Sequence, residues 1–521
     1  MNTLEIYSAA LDEFNAKNFD AALTLVDELK TVAPAWKKPL LLECYVLRER
    51  GEWLKEFVAL ENLLPQFNLA VTSEKVLAAD ALSLFGSVCR ELGFVDEAVE
   101  KFRLSARLED NAQQSCVEIS NALFAANASE NFSREDFNAL YDEYKSYLSD
   151  VKPFAPKTYA HKKIRVGFLS ADFHWHAVMA WSWNLLSDLD KNFFATYFYS
   201  SVPTPDDVTE HFRATAHAWR DIGDLTDLQA AQVIRDDEID ILVDLSGHTS
   251  GNRLRVAAFK PATVQISGVG YMNSTGLDCF DYFLSDVHCA GDESYFTEKL
   301  IRLPQTHICY NSQLVKVQPA DKPPCTRKGF VTFGSFNNFA KVTDTILAAW
   351  KKILDRVPKS RLVLKHKIFS TEDGRNFVAR RLKRFGFNLK RVDMRGYSDN
   401  YAHEYADIDV ALDTFPYVGG VTTCEALWLG VPVVSLFDDR HGTRFGLSML
   451  TNVGLPELAA ATVDEYISRA VMLAGDWELL TLLRRNLRGM MKNSPLMDAS
   501  AYVGHVEEIF ARLVDVRKRL P

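Results

Sequence analysis

Through the first hundred or so positions the apolar residues return every third or fourth place. From about position 160 they gather instead into short runs separated by polar turns. The first pattern predicts amphipathic helices and the second predicts buried strands alternating with helices. Residues 1–110 read as helical hairpins. The clearest spans Ala81–Phe102, where Gly86 and Ala98 are small enough for two helices to approach and Phe102 fills the groove between them. A related phrase runs Asn18–Leu29, and Gly51–Phe57 is a poorer copy. Helix continues over 111–150, beginning again at a capping Ser133, and Val151–Lys157, with Pro153 and Pro156, reads as a linker.

The pattern then changes period. Ile164–Leu169, Phe194–Tyr199 and Ile239–Asp244 read as strands, with helices over Ala177–Leu189 and Asp227–Asp237 and two shorter strands in Val264–Tyr271 and Asp281–Asp286. A second linker covers Val315–Lys328, with Pro319, Pro323 and Pro324. The alternation restarts with a strand at Phe330–Phe336, a helix at Thr343–Asp355, a strand at Arg361–Lys365, a helix at Asn376–Phe385 and a strand near Val392. Strands at Asp409–Leu412 and Val433–Leu436 flank a helix at Thr422–Leu429, and helices at Val463–Ala474, Trp477–Met491 and Ala499–Leu520 close the chain. Alternation of this kind predicts parallel sheets covered by helices. The expected division is helical repeats at 1–110, a helical connector and linker at 111–157, a first α/β lobe at 158–318, a second at 325–490 and a terminal helix at 491–521.

Composition narrows the class. The chain has 521 residues, 47% hydrophobic and 25% charged, which suits several globular domains. Its net charge of −10 argues against broad nucleic-acid binding, which needs a basic face. Eight cysteines lie scattered without a C-x-x-C pair, so neither a disulfide framework nor structural zinc is expected. No basic and apolar leader opens the chain and no apolar run approaches a membrane span. A cytoplasmic protein without a membrane span is the expectation.

The candidate chemistry centres on Ala411–Ser435, a strand, a loop with the adjacent pair Gly419 and Gly420, a helix and a second strand. A helix N-terminus beside strand carboxyl ends suits an anion, and glycines let backbone approach it. The run Thr422-Thr-Cys-Glu425 also reads as a capping box serving the helix's own N–H groups. Asp407-Ile-Asp409 has the D-x-D form of a metal motif, although charge at the mouth of a buried strand is the plainer reading. His174 and His176 follow the first strand, and Gly247, His248 and Thr249 follow the strand ending at Asp244.

The segment LDTFPYVGGVTTCEALWLGVPVVSL resembles the nucleotide-sugar signature of the SPINDLY and O-GlcNAc transferase family, and further phrases match upstream and downstream. VGFLSADFHWH, GHTSGNRL, GYMNSTGL, GSFNNFAK and DDRHGTRFGLS each resemble a family segment, and the hairpin spacings resemble tetratricopeptide repeats. The resemblance implies two Rossmann-like lobes of the GT-B type behind a repeat region, and an inverting enzyme that moves a sugar to a protein hydroxyl. It places His176 and Lys341 at the catalytic centre. It assigns Asn338, Lys341, Tyr401, Gly419, Gly420, Thr422, Thr423, Glu425 and Arg444 to the nucleotide sugar, with Glu425 toward a ribose hydroxyl. His248 and Tyr271 fall on the acceptor side. Ala177, Met272 with Asn273, and Tyr401 depart from the family's usual Pro, Pro-Gly and His. The donor implied is UDP-GlcNAc, with GDP-fucose or UDP-glucose as alternatives, and no metal or other cofactor is needed. The repeats would hold a protein or peptide acceptor, or else cap or dimerise the neighbouring domain into a homo-oligomer. A non-catalytic scaffold that senses a nucleotide sugar is the reading from another class.

Overall fold

A computed structural model describes residues 2–519; Met1, Leu520 and Pro521, which the expected end segments include, lie outside the described residues. The N-terminal region forms eight helices: α1 (Thr3–Asn15), α2 (Phe19–Val32), α3 (Lys37–Glu49), α4 (Trp53–Leu63), α5 (Thr72–Leu92), α6 (Val95–Leu108), α7 (Ala112–Ala126) and α8 (Arg134–Ser146). The close approach read from Gly86 is real, because a Cβ there would sit 2.8 Å from the ring of Phe102. Ser133 caps α8 through a capping box with Asp136, which satisfies two orphan N–H groups reciprocally.

Seven strands follow: β1 (Ile164–Ser170), β2 (Phe194–Ser200), β3 (Ala218–Asp221), β4 (Ile241–Asp244), β5 (Val264–Gly268), β6 (Tyr282–Asp286) and β7 (Lys299–Leu303). They form one parallel sheet in the order β3-β2-β1-β4-β5-β6-β7. The order reverses direction between β1 and β4, which pair with Phe168 opposite Val243, and ligands of such sheets bind outside the strand ends at that point. Six further strands are β8 (Thr332–Ser335), β9 (Arg361–Lys365), β10 (Val392–Arg395), β11 (Val410–Leu412), β12 (Val433–Leu436) and β13 (Ala459–Ala460). β11 pairs in parallel with both β8 and β12, and β12 pairs with β13.

The chain divides into two compact units. One holds Met1–Phe132, Phe336–Leu347 and Val363–Asp399; the other holds Ser133–Ser335, Ala348–Leu362 and Asn400–Pro521. This division differs from the expected one in that the segment carrying Asn338 and Lys341 groups with helices α1–α7.

Side chains of the seven-stranded sheet alternate between two cores. Phe168, Phe198, Ile241 and Val243 face one, while Leu169, Tyr199 and Leu242 face the other, as a period of two requires when both faces are covered. The last helix packs into the first of these cores through Tyr502, Val503, Val506 and Phe510. A buried side chain of that size contributes about 1.5–3 kcal/mol, so this helix belongs structurally to the first lobe. Among the described residues no helix is long and apolar enough to cross a membrane, and all eight cysteines are free.

Candidate functional site

The loop after β11 is built around Asp413. Its Oδ1 accepts the N–H of Gly419 at 2.7 Å and of Thr414 at 2.9 Å, its Oδ2 accepts the hydroxyl of Ser435 at 2.7 Å, and its carbonyl accepts Tyr466 O–H at 2.8 Å. Buried carboxylate bonds of this kind hold the turn fixed in advance of any ligand. Gly419 and Gly420 serve this packing directly. A Cβ on Gly419 would meet the Thr423 hydroxyl at 2.6 Å, and one on Gly420 would meet the ring of Trp181 at 2.6 Å.

The helix Val421–Trp428 begins at Gly420 and has no side-chain cap. The capping box expected of Thr422 and Glu425 is therefore not formed. Thr423 Oγ1 bonds back to the Gly419 carbonyl at 3.1 Å, and Glu425 turns to the phenol of Tyr401, which donates to its Oε1 at 2.6 Å. The physical reason is that glycine occupies the cap position and the tyrosine competes for the carboxylate. A glycine at the N-cap brings no side chain across the helix's positive end, the end that suits an anion. Glu425 is buried, and burial pushes its carboxyl up to about 7 while the tyrosine bond opposes the shift. Tyr405 O–H reaches the Thr422 carbonyl at 3.4 Å. The hydroxyl of buried Tyr310 has no partner.

Arg444 stacks over Phe437 at 5.1 Å, and its guanidinium donates to the carbonyls of His288 and Asp438, both at 2.8 Å. It ties the loop after β12 to the loop after β6. Asp409 is likewise structural: its two oxygens accept Cys325 N–H at 2.9 Å and Thr332 N–H at 2.7 Å, and Asp407 pairs with Lys328 at 3.1 Å. The strand-mouth reading of Asp407-Ile-Asp409 thus describes both residues.

At the reversal point of the first sheet, the loop after β1 presents His174 and His176 on either side of Asp172. His174 Nε2 lies 3.9 Å and His176 Nδ1 3.7 Å from its carboxylate. Burial pushes the Asp172 carboxyl up, and the two imidazoles oppose it. His176 is exposed, with Val178 N–H 3.4 Å from its Nδ1. Beneath them Asp244 is fully buried and pushed up to about 6 by burial, although it accepts Gly247 N–H at 2.7 Å.

His248 and Tyr271 sit differently from the acceptor-side expectation. His248 is buried, its Nε2 is 2.8 Å from the Thr275 carbonyl, and its ring packs against Tyr141, Tyr144 and Tyr271. Burial holds its pKa down at about 4. Both rings are interior walls, and a Cβ on Gly247 would meet Tyr271 at 2.4 Å. They shape the loop after β4 from inside.

In the other unit, Asn338 Oδ1 accepts Ala340 N–H at 3.0 Å and opens a short 3-10 turn, Phe339–Lys341. Ala340 lies against Gly93, the left-handed residue that ends α5. Beside that contact is a groove of about 870 Å³, lined on one side by Phe94 and on the other by Phe377, Arg380, Lys383 and Arg384.

The sequence matches the family described as glycosyl transferase family 41 over residues 147–317 and 326–506. The chain belongs to that family. It is 36% identical over 383 residues to a protein of Solanum lycopersicum named probable UDP-N-acetylglucosamine–peptide N-acetylglucosaminyltransferase SPINDLY, covering 72% of this chain and 40% of that one. The like-named protein of Arabidopsis thaliana is 36% identical over 386 residues, covering 72% and 41%. The chain thus spans about two fifths of the length of these relatives. Among solved structures, a mutant O-GlcNAc transferase of Thermobaculum terrenum superposes with a TM-score of 0.85 at 28% identity, over 99% of this chain and 98% of that one. Within this family frame, Asp413, Asp172, Trp181 and Tyr466 are the supporting residues that motif reading missed. The available signal was an Asp at or just past the end of a buried strand, Asp413 after β11 and Asp172 two residues after β1; Trp181 and Tyr466 carry none.

Proposed function

We propose that this family member is an inverting glycosyltransferase that moves N-acetylglucosamine from UDP-GlcNAc to a Ser or Thr hydroxyl of a protein. The observation that carries this reading is the helix Val421–Trp428, whose N-cap is a glycine at the carboxyl end of a strand and whose entry loop Asp413 and Thr423 hold rigid. In this reading Gly419, Gly420, Thr422 and Thr423 are the diphosphate loop and helix start, Asn338 and Lys341 are the diphosphate contacts that the family resemblance assigns, and Glu425 with Tyr401 meets the ribose side of the nucleotide. The acceptor oxygen bonds to the anomeric carbon as the bond to phosphate breaks. The electron pair and the growing negative charge pass to UDP, where a fixed cation and aligned N–H groups stabilise them. His176 positions or deprotonates the acceptor hydroxyl, with Asp172 as its anionic neighbour. The chemistry needs no metal or other cofactor, because Lys341 and the helix N-terminus supply the positive charge.

The groove beside α5 and the helix Glu372–Arg384 supports a protein acceptor. Arg380, Lys383 and Arg384 give it a cationic wall, and Asp96, Glu97 and Glu130 also line it, so it suits an acceptor stretch that turns acidic residues toward the helix Glu372–Arg384.

The test is thermal stabilisation by UDP, GDP, UDP-GlcNAc, UDP-glucose and GDP-fucose in parallel, followed by sugar transfer with the best donor. A ligand at a hundred times its dissociation constant adds about 2.7 kcal/mol. Stabilisation by uridine nucleotides, with transfer from UDP-GlcNAc, is the expected result. A shift with guanosine nucleotides alone would make GDP-fucose the donor. Binding without transfer or donor hydrolysis would leave a sensor rather than an enzyme.

A further inference from the structure

A cluster at the end of β6 is used by none of the chemistry above. Asp286 closes that strand, fully buried, and its Oδ1 accepts the N–H groups of His288 and Cys289, both at 2.8 Å. Its Oδ2 accepts Ser448 O–H at 2.9 Å and lies 2.5 Å from Nδ1 of His307. A carboxylate held ionised by that many donors fixes the His307 proton on Nδ1. The opposite nitrogen, Nε2, then points away from Asp286, and it is buried with no hydrogen-bond partner.

His441 is set in the same manner from the loop after β12. Its Nδ1 lies 3.1 Å from the Met272 carbonyl, which can only accept, so Nδ1 carries the proton and Nε2 keeps its lone pair, 3.0 Å from Ser285 Oγ. Cys289 is buried beside them, its thiol 3.4 Å from the Arg444 carbonyl and also within reach of the Ser448 hydroxyl and the Asp286 carboxylate. One donor atom from each of Cys289, His307 and His441 lies within 4.8 Å of the other two, the one such group among the described residues.

We propose that Cys289, His307 and His441 form a buried site for a divalent cation of the zinc class, which fastens the loop after β12 to the end of β6. A thiolate and two imidazoles are the donor set such an ion selects. Each imidazole already donates its other N–H to a carboxylate or a backbone carbonyl, the outer arrangement that orients metal-binding histidines. Bond lengths of about 2.3 Å to sulfur and 2.0 Å to nitrogen put ligand atoms roughly 3.3–3.7 Å apart, so small side-chain rotations close the site. On binding, the Cys289 S–H bond breaks, its proton leaves to solvent, and the sulfur pair forms the bond to the metal. The thiolate and the Asp286 carboxylate then balance the two positive charges, so no net charge is buried. None of the three ligands is among the proposed diphosphate contacts, and the role of the site is structural.

The test uses the full chain, stripped with a chelator under reducing conditions and titrated with Co(II). One equivalent should bind with a thiolate-to-cobalt charge-transfer band, Zn(II) should displace it, and the melting temperature should rise by several degrees on adding Zn(II). Cys289→Ser should lose the band. Asp286→Asn should bind roughly 10–100-fold more weakly while keeping the band at saturation. Folded wild-type protein that binds no equivalent of metal would overturn the proposal and leave His307 Nε2 to a buried water. A band that survives in Cys289→Ser would equally overturn it.

Discussion

Tyr401 donates its phenolic O–H to Oε1 of Glu425 across 2.6 Å, joining a helix to a residue 24 positions away. Burial raises the Glu425 carboxyl from its ordinary 4.5 to about 7. Between these values the folded protein holds a proton that the unfolded chain has released. Stability therefore falls as pH rises through that window, by up to about 3 kcal/mol for this group alone. Glu425→Gln removes the titration. Urea unfolding at about pH 5 and pH 8 should show the variant gaining on the wild type at the higher pH. Parallel pH dependences would show that Glu425 is not the buried acid described.

Much of this arrangement was legible in the chain. The strands Arg361–Lys365 and Val433–Leu436 were read to the residue, because a short apolar run between turn residues has few other uses. β3, β7 and β13 escaped the pattern, β7 (Lys299–Leu303) as an edge strand with only two buried residues. β3 (Ala218–Asp221) is an edge strand with no buried residue, and β13 has two residues, too few for a period to register. The Thr422 and Glu425 box failed for a different reason: its pattern was present, but Gly420 took the cap and a distant tyrosine took the glutamate. His248 sits in a polar turn motif, and only tertiary packing against three tyrosines reveals it as interior.

His248 titrates in the opposite sense. Burial lowers its pKa from 6.5 to about 4, so the unfolded chain takes up the proton first as pH falls. The stability tied to this group is complete above about pH 6.5 and is lost down toward pH 4, by up to about 3 kcal/mol. His248→Phe should lose stability at neutral pH, since the Thr275 carbonyl is left unmet, yet show a shallower loss under acid. Acid unfolding of both proteins by circular dichroism decides it, and an equally steep loss in the variant would refute the placement.

Lys341→Ala should lower turnover by about 100-fold or more with a melting temperature close to wild type, because the short turn it ends is held by Asn338 and the buried Phe339. Near-normal turnover would remove Lys341 from the diphosphate.

Charge reversal of the groove should separate acceptor from donor. Combining Arg380→Glu, Lys383→Glu and Arg384→Glu should raise KM for an acidic protein acceptor several-fold and leave KM for the nucleotide sugar unchanged. These residues are exposed on the helix Glu372–Arg384, so folding should be little affected. Steady-state kinetics with each substrate varied in turn reads the split. Equal changes in both constants would mean the groove does not hold the acceptor.

The contact of Gly420 with Trp181 gives the sharpest test of the loop. A methyl group at Gly420 would sit 2.6 Å from the Trp181 ring, well inside contact distance, so Gly420→Ala should cost about 1–3 kcal/mol of stability and weaken nucleotide binding. Trp181→Leu should create space and lose packing on its own account. If the clash is the cause, the double variant will be more stable than the sum of the two losses predicts, by an interaction of about 0.5–3 kcal/mol. Denaturant unfolding of all four proteins completes the cycle. Strict additivity would mean the glycine is required for its backbone conformation, φ −102 and ψ −90, and not for room beneath the tryptophan.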